Sequence, residues 1–341
     1  MSNYISRKIL NKKYIYINKN KQVIKDKKIL DKISKIYIAP AYKNVQIFLN
    51  QAVLAKGTDA AGRIQYVYSE ESKKRREEKK HIKLLKLCNN ISKLEDKIKN
   101  DLSKRIYTKE KLIALIITLM NTCNFRGGNK KYEKDYGSYG LTTLHKSHIH
   151  FEEKYAVIDF IGKKGVQNKC SVKDKNIIKM LKEVYKMSNK TQRYLFAIIN
   201  ENKEQINVSL PDINIYLENF KITSKDLRMW NANIIFLKNL KKNFEKFLEE
   251  QENKDGKIDY YSLSEEKQLK YRKKIIKQSI IDTAECLHHT AAICKSSYIN
   301  KYILNKILNE DHDKNNHILN KLLKKDKKIK MEEFFKNIIK K

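Results

Sequence analysis

The sequence predicts an α+β protein, in which a small β-rich N-terminal domain, residues 1–76, precedes a larger, mainly α-helical domain, residues 77–341. Residues 30–70 hold short runs of alternating or β-branched side chains, which are typical of strands. Most of the remaining chain places apolar residues three and four positions apart, which is typical of helices. Only two prolines, Pro40 and Pro211, occur in the chain, and this scarcity also favours helices.

The predicted N-terminal sheet consists of three runs, KIYIAPAY, VQIFL and IQYVY. Pro40, Gly57 and Gly62 interrupt these runs and indicate turns. The charged run SEESKKRREEKK, residues 69–80, follows them without apolar periodicity, as in a solvated linker or the first turns of a helix. We place the domain boundary within this run.

The second domain begins with helical patterns in KHIKLLKLCNNISKLEDKIKNDL and TKEKLIALIITLMNTCNF. The apolar run Leu112 to Met120 is about half of the ~18 residues that a membrane span needs, so it predicts a buried helix. Residues 148–172 change to a strand pattern with a tight turn at GKKG, residues 162–165, and predict a lone β-hairpin with a lysine at its tip. Helical patterns return from Asn176 onward.

The charge of the chain predicts a polyanionic partner. Lysine and arginine total 74 against 39 acidic residues, which gives a formal charge of +35, while 41% hydrophobic residues suffice for a sizeable core. The frequent Lys, Asn, Ile and Tyr are also typical of an A/T-rich genome, so codon bias accounts for part of this charge. Charge alone therefore indicates nucleic-acid binding without identifying an activity.

The cysteines and the N-terminus predict a protein of a reducing intracellular compartment. Five cysteines are an odd number without a C-x-x-C pair, so neither a disulfide framework nor a zinc ribbon is indicated. Cys286, His288, His289 and Cys294 lack the spaced pairs of a zinc site, and no metal is expected. The first twenty residues contain no apolar signal segment, so secretion is not expected.

Four short segments place a cationic side chain beside a glycine or a helix end: NFRGGNKKY (124–132), GKKG (162–165), KDLRMW (225–230) and LHHT (287–290). A fifth, HHTAAICKSSY, ends in Tyr298. Each of them taken singly is weak evidence, because an arginine in a basic protein is usually a surface charge and the chain holds 20 tyrosines. Without further information they predict only a nucleic-acid-binding protein.

Six segments in order resemble the type IB DNA topoisomerases in their small poxvirus form, with the tyrosine recombinases as more distant relatives. The segments are GRIQYVY (62–68), FRGGNKKY (125–132), YGLTTL (139–144), FIGKKG (160–165), KDLR (225–228) and HHTAAICKSSY (288–298). The resemblance implies a clamp around duplex DNA, whose larger domain has the catalytic fold shared by tyrosine recombinases and type IB topoisomerases. It further implies cutting of one strand through a 3′-phosphotyrosyl intermediate, relaxation by strand rotation, and resealing without ATP or metal.

The resemblance assigns five catalytic residues. Tyr298 is the nucleophile; Arg126, Arg228 and His289 donate hydrogen bonds to the scissile phosphate; and Lys163 gives a proton to the leaving oxygen. These residue types suit the chemistry, because a tyrosine hydroxyl is a nucleophile and two guanidiniums with an imidazole stabilise the charge that gathers on the phosphate oxygens. No cofactor is needed.

The resemblance also assigns DNA contacts. Gln65, Tyr66 and Tyr68 of GRIQYVY match a segment that enters the major groove, and Lys131 and Tyr132 match a second contact block. The chain departs from the family at two positions of that second block, where Asn129 replaces a lysine and Gly127 replaces a bulky residue.

Lys225 matches a further DNA contact of the topoisomerases, three residues before Arg228. Tyrosine recombinases resemble H-x-x-R at this place, so a lysine favours a topoisomerase. Because the two classes share their chemistry, a tyrosine recombinase or integrase remains an alternative. A non-enzymatic basic DNA-binding protein is the third.

The resemblance implies double-stranded DNA as the partner, a monomer, and no membrane or nucleotide partner. It implies a viral source, with the virion and the cytoplasmic compartment of viral DNA replication as locations. Three residues also have structural interpretations. GRIQYVY is patterned like a half-buried strand, His288 like a helix-end or packing residue, and Trp230 like a core residue.

Overall fold

The computed structural model describes residues 4–188, 193–199, 205–255, 260–309, 318–323 and 331–340. The protein has the predicted α+β class, and its chain divides into two compact units, Met1–Lys79 and Lys80–Lys341.

The first unit is built on a five-stranded antiparallel sheet with the strand order β2-β1-β3-β4-β5. Its strands are β1 (Ile5–Leu10), β2 (Lys13–Ile17), β3 (Lys43–Ile47), β4 (Val53–Thr58) and β5 (Ile64–Tyr68). Helix α1 (Lys27–Ser34) begins after Asp26, whose carboxylate accepts from the backbone N–H groups of Lys28 and Ile29. Ile33 of this helix packs with Val45, Ile47 and Ala55 in a small core.

The run IQYVY forms β5 as predicted, and VQIFL begins in β3. The prediction that KIYIAPAY is a strand is wrong, because this segment follows α1 as irregular chain. Its carbonyl groups accept from the Arg7 guanidinium, at 3.3 Å for Ile38, 3.1 Å for Ala39 and 2.8 Å for Tyr42. The Arg7 side chain thus forms hydrogen bonds with carbonyl groups that would otherwise pair with a neighbouring strand.

Helix α2 (Glu70–Ser103) includes the charged run of residues 70–80, so this run opens a helix. Helix α3 (Lys109–Cys123) begins at the N-cap Thr108 and is buried along most of its length, which confirms the prediction for Leu112 to Met120. In the part of the chain that the structure describes, no helix is long and apolar enough to cross a membrane.

The second unit contains a three-stranded sheet, β6-β7-β8, and a two-stranded one, β9-β10. Its strands are β6 (Ile149–Phe151), β7 (Ala156–Ile161), β8 (Gln167–Val172), β9 (Ala197–Ile199) and β10 (Gln205–Asn207). The hairpin around GKKG is confirmed as β7 and β8, but the prediction that it stands alone is wrong. The short strand β6 pairs with β7 through Ile149 opposite Ile158, and three residues are too few for an alternation signal.

Helices supply the rest of the second unit. They are α4 (Lys130–Tyr136), α5 (Lys175–Met187), α6 (Leu210–Glu218), α7 (Ser224–Asp255), α8 (Glu265–Cys286), α9 (Ala291–Ile293), α10 (Lys301–Leu308), α11 (Ile318–Leu323) and α12 (Met331–Lys340). Trp230 on α7 is 2% exposed and packs against Phe335 of α12, which confirms its core interpretation.

The expectation of unpaired cysteines is wrong for one pair. Cys123, at the end of α3, and Cys170, on β8, form a disulfide with their Cα atoms 5.6 Å apart. They are 47 residues apart in sequence, so spacing rules built on short C-x-x-C pairs do not detect them. This bond joins the segment just before Arg126 to the hairpin that holds Lys163.

Candidate active site

Arg228 lies on the first turns of α7, and local hydrogen bonds fix the start of this helix. The Asp226 carboxylate accepts from the backbone N–H of Thr223 at 3.0 Å and from its hydroxyl at 2.8 Å. Lys83 of α2 lies 3.2 Å from the same carboxylate. Lys225, on the same turn as Arg228, is exposed.

Arg228 is buried, with 6% of its surface exposed, and its guanidinium connects three segments of the chain. One terminal nitrogen donates to the carbonyl of Asn124 and the other to the carbonyl of Leu287. Burial lowers the pKa of Arg228 to about 10, and the charge of Arg126 adds to this effect. A cation held in this way is positioned in advance for an anion.

Arg126 lies in a loop that close glycine packing pins to the YGLTTL segment. The carbonyl of Arg126 accepts from the N–H of Leu141 at 3.0 Å. A Cβ atom on Gly140 would lie 2.5 Å from the Cα of Gly128, so only glycine allows this approach. The segments FRGGNKKY and YGLTTL thus pack together, and their packing holds the backbone at Arg126.

The departure at Gly127 has a packing reason. A Cβ atom there would lie 2.5 Å from the Cδ1 of Leu210, at the start of α6. The leucine side chain therefore fills the space that a bulky residue would take in the family pattern.

Tyr298 follows α9 at the end of a wide π-type turn, Cys294–Tyr298, and is half-buried. The His289 ring stacks on the Tyr298 ring, with centroids 4.8 Å apart and planes 11° apart. The Arg228 guanidinium lies 5.5 Å from the centre of the same ring. The nucleophile candidate and two of the other candidates, His289 and Arg228, therefore belong to one site.

The electrostatics of this site favour an anionic phenol. Burial by itself would raise the pKa of Tyr298, but the positive charges of Arg228 and Arg126 lower it below its ordinary value. Burial and the charge of Arg228 also lower the pKa of His289 to about 4, so its ring is neutral at pH 7. The Nε2 atom of His289 is buried without a hydrogen-bond partner among the described residues.

Asn233 is a site residue that sequence reasoning missed. It is fully buried on α7, and its amide nitrogen donates to the carbonyl of Tyr298 at 3.0 Å. Its amide oxygen accepts from the N–H of Asn300 at 2.8 Å. The side chain thus holds the backbone on both sides of Ile299. Its position five residues after Arg228, on the same helix, was the feature of the sequence that could have indicated its place near the site.

We expect Asn233→Ala to slow strand cleavage at least about tenfold and to lower the free energy of unfolding by roughly 2 kcal/mol. Two buried backbone groups would lose their partner, and the nucleophile would lose its anchor. Single-turnover cleavage and urea unfolding measure the two effects. Asn231→Ala is the matched control, because Asn231 bonds the Asn121 side chain at the surface. Equal behaviour of the two variants would contradict the assignment.

Lys163 is exposed in the turn between β7 and β8. The turn is shaped by Gly162, where a Cβ atom would lie 2.3 Å from the Asn168 amide, and by Lys164, which has a φ of 65°. The contacts of the described residues that join Tyr298, Arg228 and His289 do not include Lys163. His288, with a φ of 53°, lies two residues beyond the end of α8, and its ring centre lies 5.6 Å from that of Phe125, which confirms its interpretation as a helix-end and packing residue.

The proposed DNA contacts of the first unit lie on the edge strand β5. Tyr66 is 49% exposed, and its ring lies 6.1 Å from that of Tyr68. The Arg76 guanidinium lies 3.4 Å from the centre of the Tyr68 ring. The Gln65 amide nitrogen donates to Asp59 at 2.9 Å. The strand is thus half-buried, as its pattern predicted, and also presents polar groups.

Lys131 and Tyr132 are exposed on α4, which a buried carboxylate anchors. Glu133, 5% exposed, accepts from the Tyr194 hydroxyl at 2.7 Å and from Arg193 at 2.9 Å. Asn129 caps the helix by accepting from the N–H of Lys131. The asparagine that replaces the family's lysine therefore serves as a helix cap.

Comparison with known proteins identifies the class. A family model described as the eukaryotic DNA topoisomerase I catalytic core matches residues 69–330. DNA topoisomerase 1B of Acanthamoeba polyphaga mimivirus is 29% identical over 297 residues, which cover 85% of this chain and 83% of the relative. DNA topoisomerase 1B of vaccinia virus (strain Copenhagen) is 26% identical over 257 residues, which cover 75% of this chain and 72% of the relative.

The family model covers more than half of the chain, and the chain therefore belongs to the type IB DNA topoisomerases. Within that class it is of the small viral form, as its mimivirus and poxvirus relatives indicate. The family and the enzymatic activity predicted from the six segments are confirmed. The alternatives of a recombinase and of a non-enzymatic DNA-binding protein are set aside.

Proposed function

We propose that this enzyme cuts one strand of duplex DNA with Tyr298, holds the end as a 3′-phosphotyrosine while supercoils relax by rotation, and then reseals the strand without ATP or metal. The observation that supports Tyr298 as the nucleophile is its half-buried ring, which stacks on His289 and lies 5.5 Å from the Arg228 guanidinium.

The chemistry is an exchange of phosphodiesters. The phenolic oxygen of Tyr298 forms a bond to phosphorus, and the bond from phosphorus to the 5′ oxygen breaks. Arg126, Arg228 and His289 bind the non-bridging oxygens, where negative charge grows in the transition state. Lys163 protonates the departing 5′ oxygen as the hairpin approaches bound DNA. The reversed steps reseal the strand, because the energy of the broken bond stays in the phosphotyrosine.

The DNA contacts extend over both units. Gln65, Tyr66 and Tyr68 on the edge strand of the first unit would enter the major groove, which admits a β-ribbon. Lys131, Tyr132 and Lys225 of the second unit would contact the duplex near the cut. With residues 1–76 as a DNA-binding domain and residues 77–341 as the catalytic domain, the protein would form a clamp with the catalytic fold of the tyrosine recombinases. It would act as a monomer without a bound nucleotide, in the virion and in the cytoplasm where viral DNA is replicated.

The pH dependence follows from the pKa of Tyr298, which lies below its ordinary value of 10. We expect single-turnover cleavage at subsaturating DNA to increase with pH, because the phenolate forms as the hydroxyl loses its proton, and to level off below pH 10. Such rates report the groups of the free enzyme. A rate that still increases tenfold per pH unit above pH 10 would contradict the proposed electrostatics.

Relaxation of supercoiled plasmid in EDTA without ATP tests the proposal as a whole. We expect relaxed topoisomers, together with a covalent protein–DNA adduct after addition of SDS. Activity that appears only after addition of Mg²⁺ or ATP would refute the metal-free and ATP-free mechanism. Joining of two defined sites by a tetramer, without relaxation, would refute the monomeric topoisomerase.

A further inference from the structure

The turn between β4 and β5 is organised by one carboxylate, Asp59. Its Oδ1 accepts from the backbone N–H groups of Ala61 and Arg63, both at 3.0 Å. Its Oδ2 accepts from the Nε atoms of two side chains, Arg63 and Gln65, both at 2.9 Å. The first pair of bonds shapes the turn, and the second pair reaches onto the strand proposed to enter DNA.

The chemistry of Asp59 determines how the Gln65 amide is oriented. Hydrogen bonds from Arg63, first from its side chain and then from its backbone, lower the pKa of Asp59 to about 2, so the carboxylate is ionised at neutral pH. An ionised carboxylate only accepts hydrogen bonds. Gln65 must therefore turn its NH₂ group toward Asp59, and its carbonyl oxygen is left as the group that faces elsewhere.

The neighbour of Gln65 on the adjacent strand does not affect the orientation of its amide. The residue opposite Gln65 in the sheet is Gly57, which has no side chain to contact it. Strand β5 lies at the edge of the five-stranded sheet, so its outer side is not paired with another strand of that sheet. Asp59, Gln65 and Gly57 all lie within the first unit.

We propose that Asp59 is a positioning residue that sets which base Gln65 reads, by presenting the amide oxygen as an acceptor to a base with an amino group in the major groove. Adenine and cytosine carry such a group, whereas guanine and thymine carry oxygen acceptors there. The inference rests on the proposed contact of Gln65 with DNA. The new element is Asp59, which determines whether Gln65 presents an acceptor or a donor to the base.

Asp59→Asn tests the inference with a side chain of the same shape. The two turn N–H groups still require an acceptor on the Oδ1 side, so the new NH₂ group faces Gln65, and the Arg63 side chain, which is 56% exposed, turns to solvent. The Gln65 amide then turns over and presents its own NH₂ group to DNA. We expect the base preference at one position of the cleavage site to shift about tenfold, from adenine or cytosine toward guanine or thymine.

The measurement uses the full enzyme and a duplex library randomised around the cleavage site, with SDS-trapped products sequenced. Asp26→Asn is the matched control, since it removes the same charge from the first unit at a helix cap that asparagine also serves. It should leave the preference unchanged.

An unchanged preference in Asp59→Asn, together with a changed one in Gln65→Ala, would overturn the role of Asp59 alone. An unchanged preference in Gln65→Ala would overturn the contact and the inference with it, while adduct formation by the wild type would leave the topoisomerase activity standing. If Asp59→Asn does not fold, Asp59→Ser serves instead. Its hydroxyl can accept from the turn but is too short to hold Gln65, so the preference should become flat.

Discussion

Tyr298→Phe should abolish the covalent adduct and plasmid relaxation, while DNA affinity stays within a few-fold of the wild type. The change removes one oxygen, the atom that attacks phosphorus. The phenylalanine ring keeps the stacking on His289, and Asn233 still bonds the backbone carbonyl at this position. The variant should therefore fold and bind as before but have no nucleophile.

SDS trapping on a labelled duplex, beside a filter-binding or fluorescence titration of the same duplex, separates chemistry from binding. Tyr302→Phe is the matched control, because Tyr302 lies four residues further on α10 and is 39% exposed. It should cleave at the wild-type rate. A covalent adduct in Tyr298→Phe would exclude Tyr298 as the nucleophile.

Arg228→Lys should slow cleavage by at least about a hundredfold, although the positive charge is kept. The planar guanidinium donates to the carbonyls of Asn124 and Leu287 and lies 5.5 Å from the centre of the Tyr298 ring. A lysine ammonium has neither the fork geometry nor the reach to replace these bonds together. The loss of one such donor at a developing oxyanion typically costs two to three orders of magnitude in rate.

The rate is measured in single turnover at saturating DNA, so that weaker binding does not contribute. Thermal unfolding of the same variant reports the cost of two buried carbonyls that lose a donor. Arg105→Lys, a change at an exposed arginine of the second unit, is the control and should be silent. A cleavage rate only a few-fold lower in Arg228→Lys would contradict the catalytic role of Arg228 and indicate a structural one.

Local sequence patterns correctly predicted the elements that have a continuous apolar run or a regular alternation of apolar and polar residues. The apolar run within α3 and the alternation within β5 are both present as expected. KIYIAPAY has the composition of a strand, but Arg7 from a distant part of the sequence satisfies its carbonyls. Sequence composition cannot predict hydrogen bonds from a residue that is distant in sequence. It also could not predict strand β6, because three residues are too few to show alternation.

The site was predictable only in part, because its parts are distant in sequence. Tyr298, Arg228 and His289 were assigned through the ordered segments, and the structure brings their side chains together. Asn233 looked like an ordinary polar residue of a helix until its bonds to Tyr298 and Asn300 were seen. The catalytic roles of all five residues stay predictions, as do the DNA contacts.

The central claim is that the covalent link to DNA is made by Tyr298, one of 20 tyrosines. Its most direct test is mass spectrometry of the SDS-trapped adduct after digestion with nuclease and trypsin. Cleavage after Lys295 and Lys301 gives the peptide SSYINK, in which Tyr298 is the one tyrosine. The mechanism predicts a 3′-linked nucleotide on that peptide. A nucleotide on any other tyrosine peptide, such as YILNK with Tyr302, would contradict it.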